Sequence, residues 1–171
     1  MTLEKVAKIR LLLLDVDGVL TDGAIIYNGQ GQETKVFNAK DGLGLRLLMQ
    51  AGIQVGIVSG RRSRALLQRC ENLGIQLLFD GVEDKAAALD EIIGQTGIPA
   101  DQTAFVGDDL TDLPVIRAVG LGVAVADAHD LVKAAAHMVT RSAGGRGAVR
   151  EVCEAILKAQ GLWEQMIKKW L

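Results

Sequence analysis

The chain has 171 residues, a formal net charge of −2, 49% apolar residues and only 4% aromatic ones. That length suits a single domain spanning residues 1–171 with a core large enough to need no staples, and the near-neutral charge gives no general argument for nucleic acid as a partner. Cys70 and Cys153 stand far apart with no histidine at ligand spacing, so they read as buried thiols of a reducing, cytoplasmic compartment, and no apolar run is long enough for a membrane span or a signal-peptide core.

After a charged lead-in, residues 9–14 form an almost wholly apolar run of the kind buried on both faces of a parallel sheet. It stops at Asp15 and Asp17, then turns through Gly18 and the sequence Thr21-Asp22-Gly23. Residues 24–37 carry β-branched and aromatic positions on either side of Asn28-Gly29, which predicts a β-hairpin inserted directly after the acids. Asp41 is expected to cap a helix carrying Leu43, Leu45, Leu47, Leu48 and Met49 and ended by Gly52.

Residues 53–58 are the second core strand, ending at Ser59-Gly60-Arg61, and a helix over about 62–73 is stopped by Gly74. A third strand over 75–79 and a helix from Asp84 to Ile93 follow. A fourth strand over 103–106 ends in Gly107-Asp108-Asp109. Helix 110–119, strand 122–125, a short helix 131–136, an edge strand 137–139 and an amphipathic helix 148–160 complete the alternation. Strand then helix throughout predicts an α/β fold: a doubly wound, mostly parallel, Rossmann-like sheet covered by helices on both faces. Residues 161–171 hold both tryptophans, Trp163 and Trp170, with Met166, Ile167 and Leu171, on a tail that one small domain should not need. Docking on a neighbouring subunit is the reading preferred here over a frayed end.

Four strands therefore deliver chemistry to one sheet edge, where open α/β sheets bind ligands. Asp15 and Asp17 follow the first, Ser59 the second, Lys85 the third, and Asp108, Asp109 and Asp112 the fourth. Acids with one lysine and one hydroxyl are what a Mg²⁺-assisted phosphoryl site requires. Asp15 and Asp108 can each give the cation an oxygen, and Lys85 and Ser59 can hold phosphate oxygens. Without a metal the carboxylates would repel one another and raise each other's pKa. His129 and His137 have no nucleophile and acid at triad spacing and read as structural or surface histidines, and the glycine pairs at 42–44 and 120–122 lack the third glycine of a dinucleotide fingerprint.

The motif Asp15-Val16-Asp17-Gly18-Val19-Leu20-Thr21-Asp22, the strand ending Val58-Ser59-Gly60-Arg61, the lone Lys85 and the run Gly107 to Asp112 together resemble the haloacid dehalogenase superfamily. The resemblance implies that Asp15 is the nucleophile, and that Asp17 is the general acid and base and reaches the metal only through its backbone carbonyl. It implies Asp15, Asp17 and Asp108 at the metal, and Asp109 and Asp112 supporting them from behind or through metal-bound water. The gaps between motifs hold only the hairpin with one helix, and one helix with one strand, so no cap domain fits.

Within the superfamily, residues 9–160 resemble the uncapped branch of 3-deoxy-D-manno-octulosonate 8-phosphate phosphatases, through Phe37 to Gly42, Gly60-Arg61-Arg62, Arg69-Cys70, residues 123–128 and residues 144–151. That implies a Mg²⁺-dependent homotetramer hydrolysing a small phosphorylated sugar acid on the way to lipopolysaccharide. Substrate contacts then fall on Asp17, Asn38, Ala39, Lys40, Asp41, Gly42, Arg46, Arg61, Arg69 and Lys85. Guanidinium forks suit a substrate that bears both carboxylate and phosphate. The loop 144–147, with Arg146, reads either as a contact across subunits or as a helix-entry loop. A signalling receiver domain is rejected because its phosphorylated Asp ends the third strand. A phosphatase for another nonulosonic or octulosonic acid and a non-catalytic tetramerisation module stay open, although no acid or lysine is missing.

Overall fold

Four successive leucines, none with any solvent exposure, form the strand on which the sheet is built. In the computed structural model, which describes residues 3–171, helix α1 (Leu3–Ala7) leads into this strand, β1 (Leu11–Leu14). The hairpin follows as β2 (Ile26–Tyr27) and β3 (Glu33–Thr34), then α2 (Ala39–Gln50), β4 (Gln54–Ser59), α3 (Arg64–Leu73), β5 (Leu77–Asp80) and α4 (Lys85–Thr96). Next come β6 (Thr103–Gly107), α5 (Leu113–Ala118), β7 (Leu121–Ala124), α6 (Asp130–Ala135), β8 (Met138–Val139), α7 (Ala148–Ala159) and α8 (Trp163–Ile167).

Six strands pair in the order β5-β4-β1-β6-β7-β8, every pair parallel. The chain winds outward from β1 through β4 to β5, then crosses back to β6 on the other side, so the switch in winding direction falls between β1 and β6. Leu14 is level with Ile57 on one side and Val106 on the other. The carboxyl ends of the three central strands therefore reach the same height. Helices flank this sheet, α2 packing on α7 and α4 on α5. No helix among the described residues is long and apolar enough to cross a membrane.

Three sequence-based expectations change. Asp41 does not cap α2. Asn38 does, its side chain accepting from Lys40 N at 2.8 Å, while Asp41 is buried one turn in and accepts from Arg150 N at 2.8 Å, so it caps the start of α7 instead. The hairpin is shorter than residues 24–37 suggest, with two residues per strand. Its turn is built by the Asn28 side chain, which accepts from Gln30 N and Gln32 N, rather than by a two-residue Asn-Gly turn. Residues 110–112 are a 3₁₀ turn preceding α5 rather than part of it.

The tail divides. Leu162, Trp163 and Met166 pack back on this chain's own core, and the Trp163 ring lies 5.5 Å from the Arg150 guanidinium and 5.0 Å from the Lys158 ammonium. Only Trp170 and Leu171, 54% and 88% exposed, are left over for a neighbour. Both histidines do backbone work: His129 Nδ1 accepts from Leu131 N at the start of α6, and His137 Nδ1 accepts from Gly122 N.

Candidate active site

Asp15 sits one residue past β1, and its N–H still donates to Val106 O at 3.0 Å, so the β6 ladder fixes the backbone that carries its carboxylate. The chain then closes tightly, with Val19 N, Leu20 N and Thr21 N all donating to Val16 O. Gly18, at φ +90°, lies against β6's exit loop: a side chain there would overlap the Asp108 carboxylate. From the other side, Gly145 N donates to Val19 O at 2.9 Å, and a Cβ on Gly144 would overlap the Gly18 carbonyl. Residues 144–147 thus clamp the loop of Asp15 and Asp17 within one chain, and Arg146 pairs with Asp22 at 3.2 Å.

Beneath that loop lies a charge cluster with more acid than base. Lys85 Nζ is 2.8 Å from Asp15 Oδ1 and 2.6 Å from Asp112 Oδ1, all three groups buried. Asp112 also accepts through Oδ2 from Asp108 N at 2.9 Å and Asp109 N at 3.3 Å, so both its oxygens are engaged. Burial pushes Asp15 up to about 6, against the pull of Lys85 and with the push of Asp112. Burial pushes Asp108 to about 8, helped by the charges of Asp15, Asp112 and Asp109. Burial alone would lower Lys85, but the two carboxylates outweigh it and its pKa ends up raised.

This surplus of carboxylate is a seat for a hard cation. Oxygens of Asp15, Asp108 and Asp112 lie within 4.8 Å of one another, and Asp108 Oδ1 is buried with no hydrogen-bond partner. A divalent ion with oxygen ligands fits that donor set. Asp112 is the weaker candidate ligand of the three, since Lys85 and two backbone N–H groups already occupy it. Asp109 is exposed and turned to Leu110 N.

The Asp17 carboxylate is absent from this cluster, although it stands two residues from Asp15. It pairs with Lys35 Nζ, and Arg61 Nε faces its other oxygen at 3.8 Å. Lys35 also meets Glu33 at 2.7 Å, and Arg61 Nη2 meets it at 2.7 Å; Lys35 first and Arg61 second hold the Glu33 carboxyl down at about 2. Asp15, Asp17, Ser59, Arg61 and Lys85 line a cleft of about 190 Å³. Ser59 Oγ faces it while bridging the backbone of Arg61. A larger hollow of about 560 Å³ opens at the opposite edge of the sheet but is lined by no charged residue.

The other sequence-derived substrate positions do not line that cleft. Asn38 caps α2 and donates to Gly145 O at 3.2 Å, while Ala39 and Lys40 are exposed. Asp41 holds α7, and Gly42 makes room for the Arg69 guanidinium, which donates to Asn38 O at 3.1 Å. Arg46 donates to Asn72 O at 2.6 Å, near the end of α3 farthest from the cleft. Lys35 is not among the site residues expected from sequence. Its signal was the alternation Glu33-Thr34-Lys35, which puts an acid and a base on one side of an extended arm.

The haloacid dehalogenase-like hydrolase family profile matches residues 80–152, the part holding Lys85, Asp108, Asp109 and Asp112. Across 158 residues, 92% of this chain and 84% of the relative, the sequence is 51% identical to 3-deoxy-D-manno-octulosonate 8-phosphate phosphatase of Yersinia pestis. It is 50% identical over 157 residues to the protein of that name from Escherichia coli K12, with the same coverage. The chain belongs to the 3-deoxy-D-manno-octulosonate 8-phosphate phosphatase family. The Moraxella catarrhalis phosphatase of this family, solved in complex with magnesium ion, phosphate ion and 3-deoxy-D-manno-octulosonate, superposes with a TM-score of 0.97 at 43% identity, covering 99% of this chain and 97% of that one.

Proposed function

We propose that the chain hydrolyses 3-deoxy-D-manno-octulosonate 8-phosphate to the free sugar acid and phosphate, with Mg²⁺ as cofactor, as a phosphomonoesterase of lipopolysaccharide inner-core synthesis. The observation that carries the reading is the placement of Asp15 between Lys85 and the partnerless oxygen of Asp108, at the floor of a cleft that Asp17 and Ser59 also line. In this reading Asp15 attacks phosphorus, and the bond from phosphorus to the sugar oxygen breaks. Asp17 gives that oxygen its proton, then takes one from the water that attacks the aspartyl-phosphate, releasing phosphate and restoring Asp15.

Lys85 and the Ser59 hydroxyl hold phosphoryl oxygens while this happens. A Mg²⁺ ion held by Asp15, Asp108 and the backbone carbonyl of Asp17 would offset the charge that builds on those oxygens. Arg61 Nε, buried without a hydrogen-bond partner beside Asp17, is a donor left over for the anionic substrate. The Moraxella catarrhalis relative, with its magnesium, phosphate and sugar acid, supports this assignment of cofactor and substrate.

The open cleft and the exposed Ile25, Ile26, Tyr27 and Val36 of the hairpin region support a homotetramer whose subunits cover one another's sites, and the free, buried thiols of Cys70 and Cys153 support a reducing, cytoplasmic compartment. Phosphate release from a panel of octulosonic and nonulosonic acid phosphates tests the activity, with Asp15→Asn as control. The 3-deoxy-D-manno-octulosonate ester is expected to be the best substrate. Another sugar acid ester turned over far faster would reassign the substrate, and no hydrolysis of any ester in Mg²⁺ would overturn the reading.

A further inference from the structure

We propose that Lys35, on the return arm of the hairpin, is a positioning residue for Asp17: it holds that carboxylate apart from the nucleophile and the metal seat, facing the leaving-group side of the cleft. The inference rests on the phosphatase reading above and assigns to the hairpin a part in the reaction.

Asp15 and Asp17 are only two residues apart, yet their carboxylates belong to different sets. Asp15 groups with Asp108, Asp112 and Lys85, whereas Asp17 is held by Lys35 and faced by Arg61. The Lys35 side chain is 3% exposed, so its ammonium has given up water for two carboxylates, Asp17 and Glu33. A buried ammonium keeps that position only while its anions stay in place. Glu33 is itself anchored by Arg61 at 2.7 Å, and Tyr27 Oη accepts from the same guanidinium at 3.1 Å. Lys35 is therefore fixed from behind, on the hairpin, and reaches forward to one catalytic oxygen. Without it, Asp17 would be free to swing toward the cation seat and compete there with a substrate oxygen.

The first chemical step exposes this role. An alkyl ester such as 3-deoxy-D-manno-octulosonate 8-phosphate expels a basic alkoxide that needs the proton of Asp17, while p-nitrophenyl phosphate expels a stable phenolate that hardly does. Because kcat/KM covers only the steps up to leaving-group departure, the ratio of kcat/KM for the two esters isolates proton donation from the later hydrolysis. Lys35→Met is expected to lower that ratio by about 10-fold or more, on the scale of general acid contributions, and Lys35→Arg to restore most of it. If Lys35→Met does not fold, Lys35→Gln, which keeps a polar hydrogen-bonding side chain without the charge, is read in the same way. An unchanged ratio in a folded variant, with both esters slowed equally or not at all, would overturn the role of Lys35. A wild-type enzyme inert toward the alkyl ester would instead overturn the phosphatase reading.

Discussion

Lys85 Nζ stands 2.6 Å from Oδ1 of Asp112, a carboxylate with no exposed surface that also receives the N–H groups of Asp108 and Asp109. One side chain thus aims the ammonium that would meet phosphate and shapes the turn that carries a metal ligand. Asp112→Ala leaves a buried ammonium short of a partner and two N–H groups without an acceptor. It is expected to destabilise the fold by roughly 3–5 kcal/mol and to cut turnover at least ~10-fold through loss of a charge-assisted contact. Urea unfolding and phosphate release check both. Full stability with lost activity would place Asp112 at the metal rather than behind it.

Asp15 at about 6 and Asp108 at about 8 both lie above the ordinary aspartate value of 3.8. Between those limits the native state holds more protons than the unfolded chain, so this contribution to stability is present below the unfolded value and is lost as pH rises through the folded ones. Metal-free protein should therefore melt at progressively lower temperature between about pH 5 and about pH 8. Saturating Mg²⁺ replaces those protons and flattens the slope. Melting curves with EDTA and with Mg²⁺ across this range decide it, and a slope that Mg²⁺ leaves unchanged would put the cation elsewhere.

Gly144 is pressed against the Gly18 carbonyl, so the loop of Asp15 and Asp17 has no room for even a methyl group there. Gly144→Ala is expected to cost about 1–3 kcal/mol by overpacking and to lower kcat more than KM, because it displaces the nucleophile's own loop. A variant as stable and as active as the parent would show that the two loops separate readily.

Asp41, expected from sequence to touch substrate, here accepts from Arg150 N at the start of α7. Asp41→Ala should lower stability by about 1–2 kcal/mol, the usual range for a lost cap, with KM changed little. A large rise in KM at unchanged stability would show that Asp41 acts on the substrate rather than on α7.

The sheet and its reactive edge were legible because both are local. Apolar runs such as 11–14 and 104–106 mark buried strands whatever surrounds them, and the acids, serine and lysine stand at or shortly beyond strand ends. What escaped was set by distant partners. Nothing near Lys35 in sequence announces a contact with Asp17, 18 positions away, because that depends on how a flexible-looking hairpin folds back. Asp41 carries a local cap signal for its own helix, but Asn38 takes that role and α7 packs close enough to claim Asp41. Trp163 reads as surplus apolar surface until Arg150 and Lys158 of α7 are seen to receive its ring.

In the proposed mechanism the Asp15 carboxylate is the nucleophile that attacks phosphorus. Enzyme quenched in acid during turnover and reduced with borohydride would convert an aspartyl-phosphate to homoserine, which peptide mass spectrometry locates to a single residue. Homoserine at position 15, absent at 17 and 108 and absent without substrate, is the predicted result. An enzyme that releases phosphate normally yet carries no reducible ester at Asp15 would contradict it.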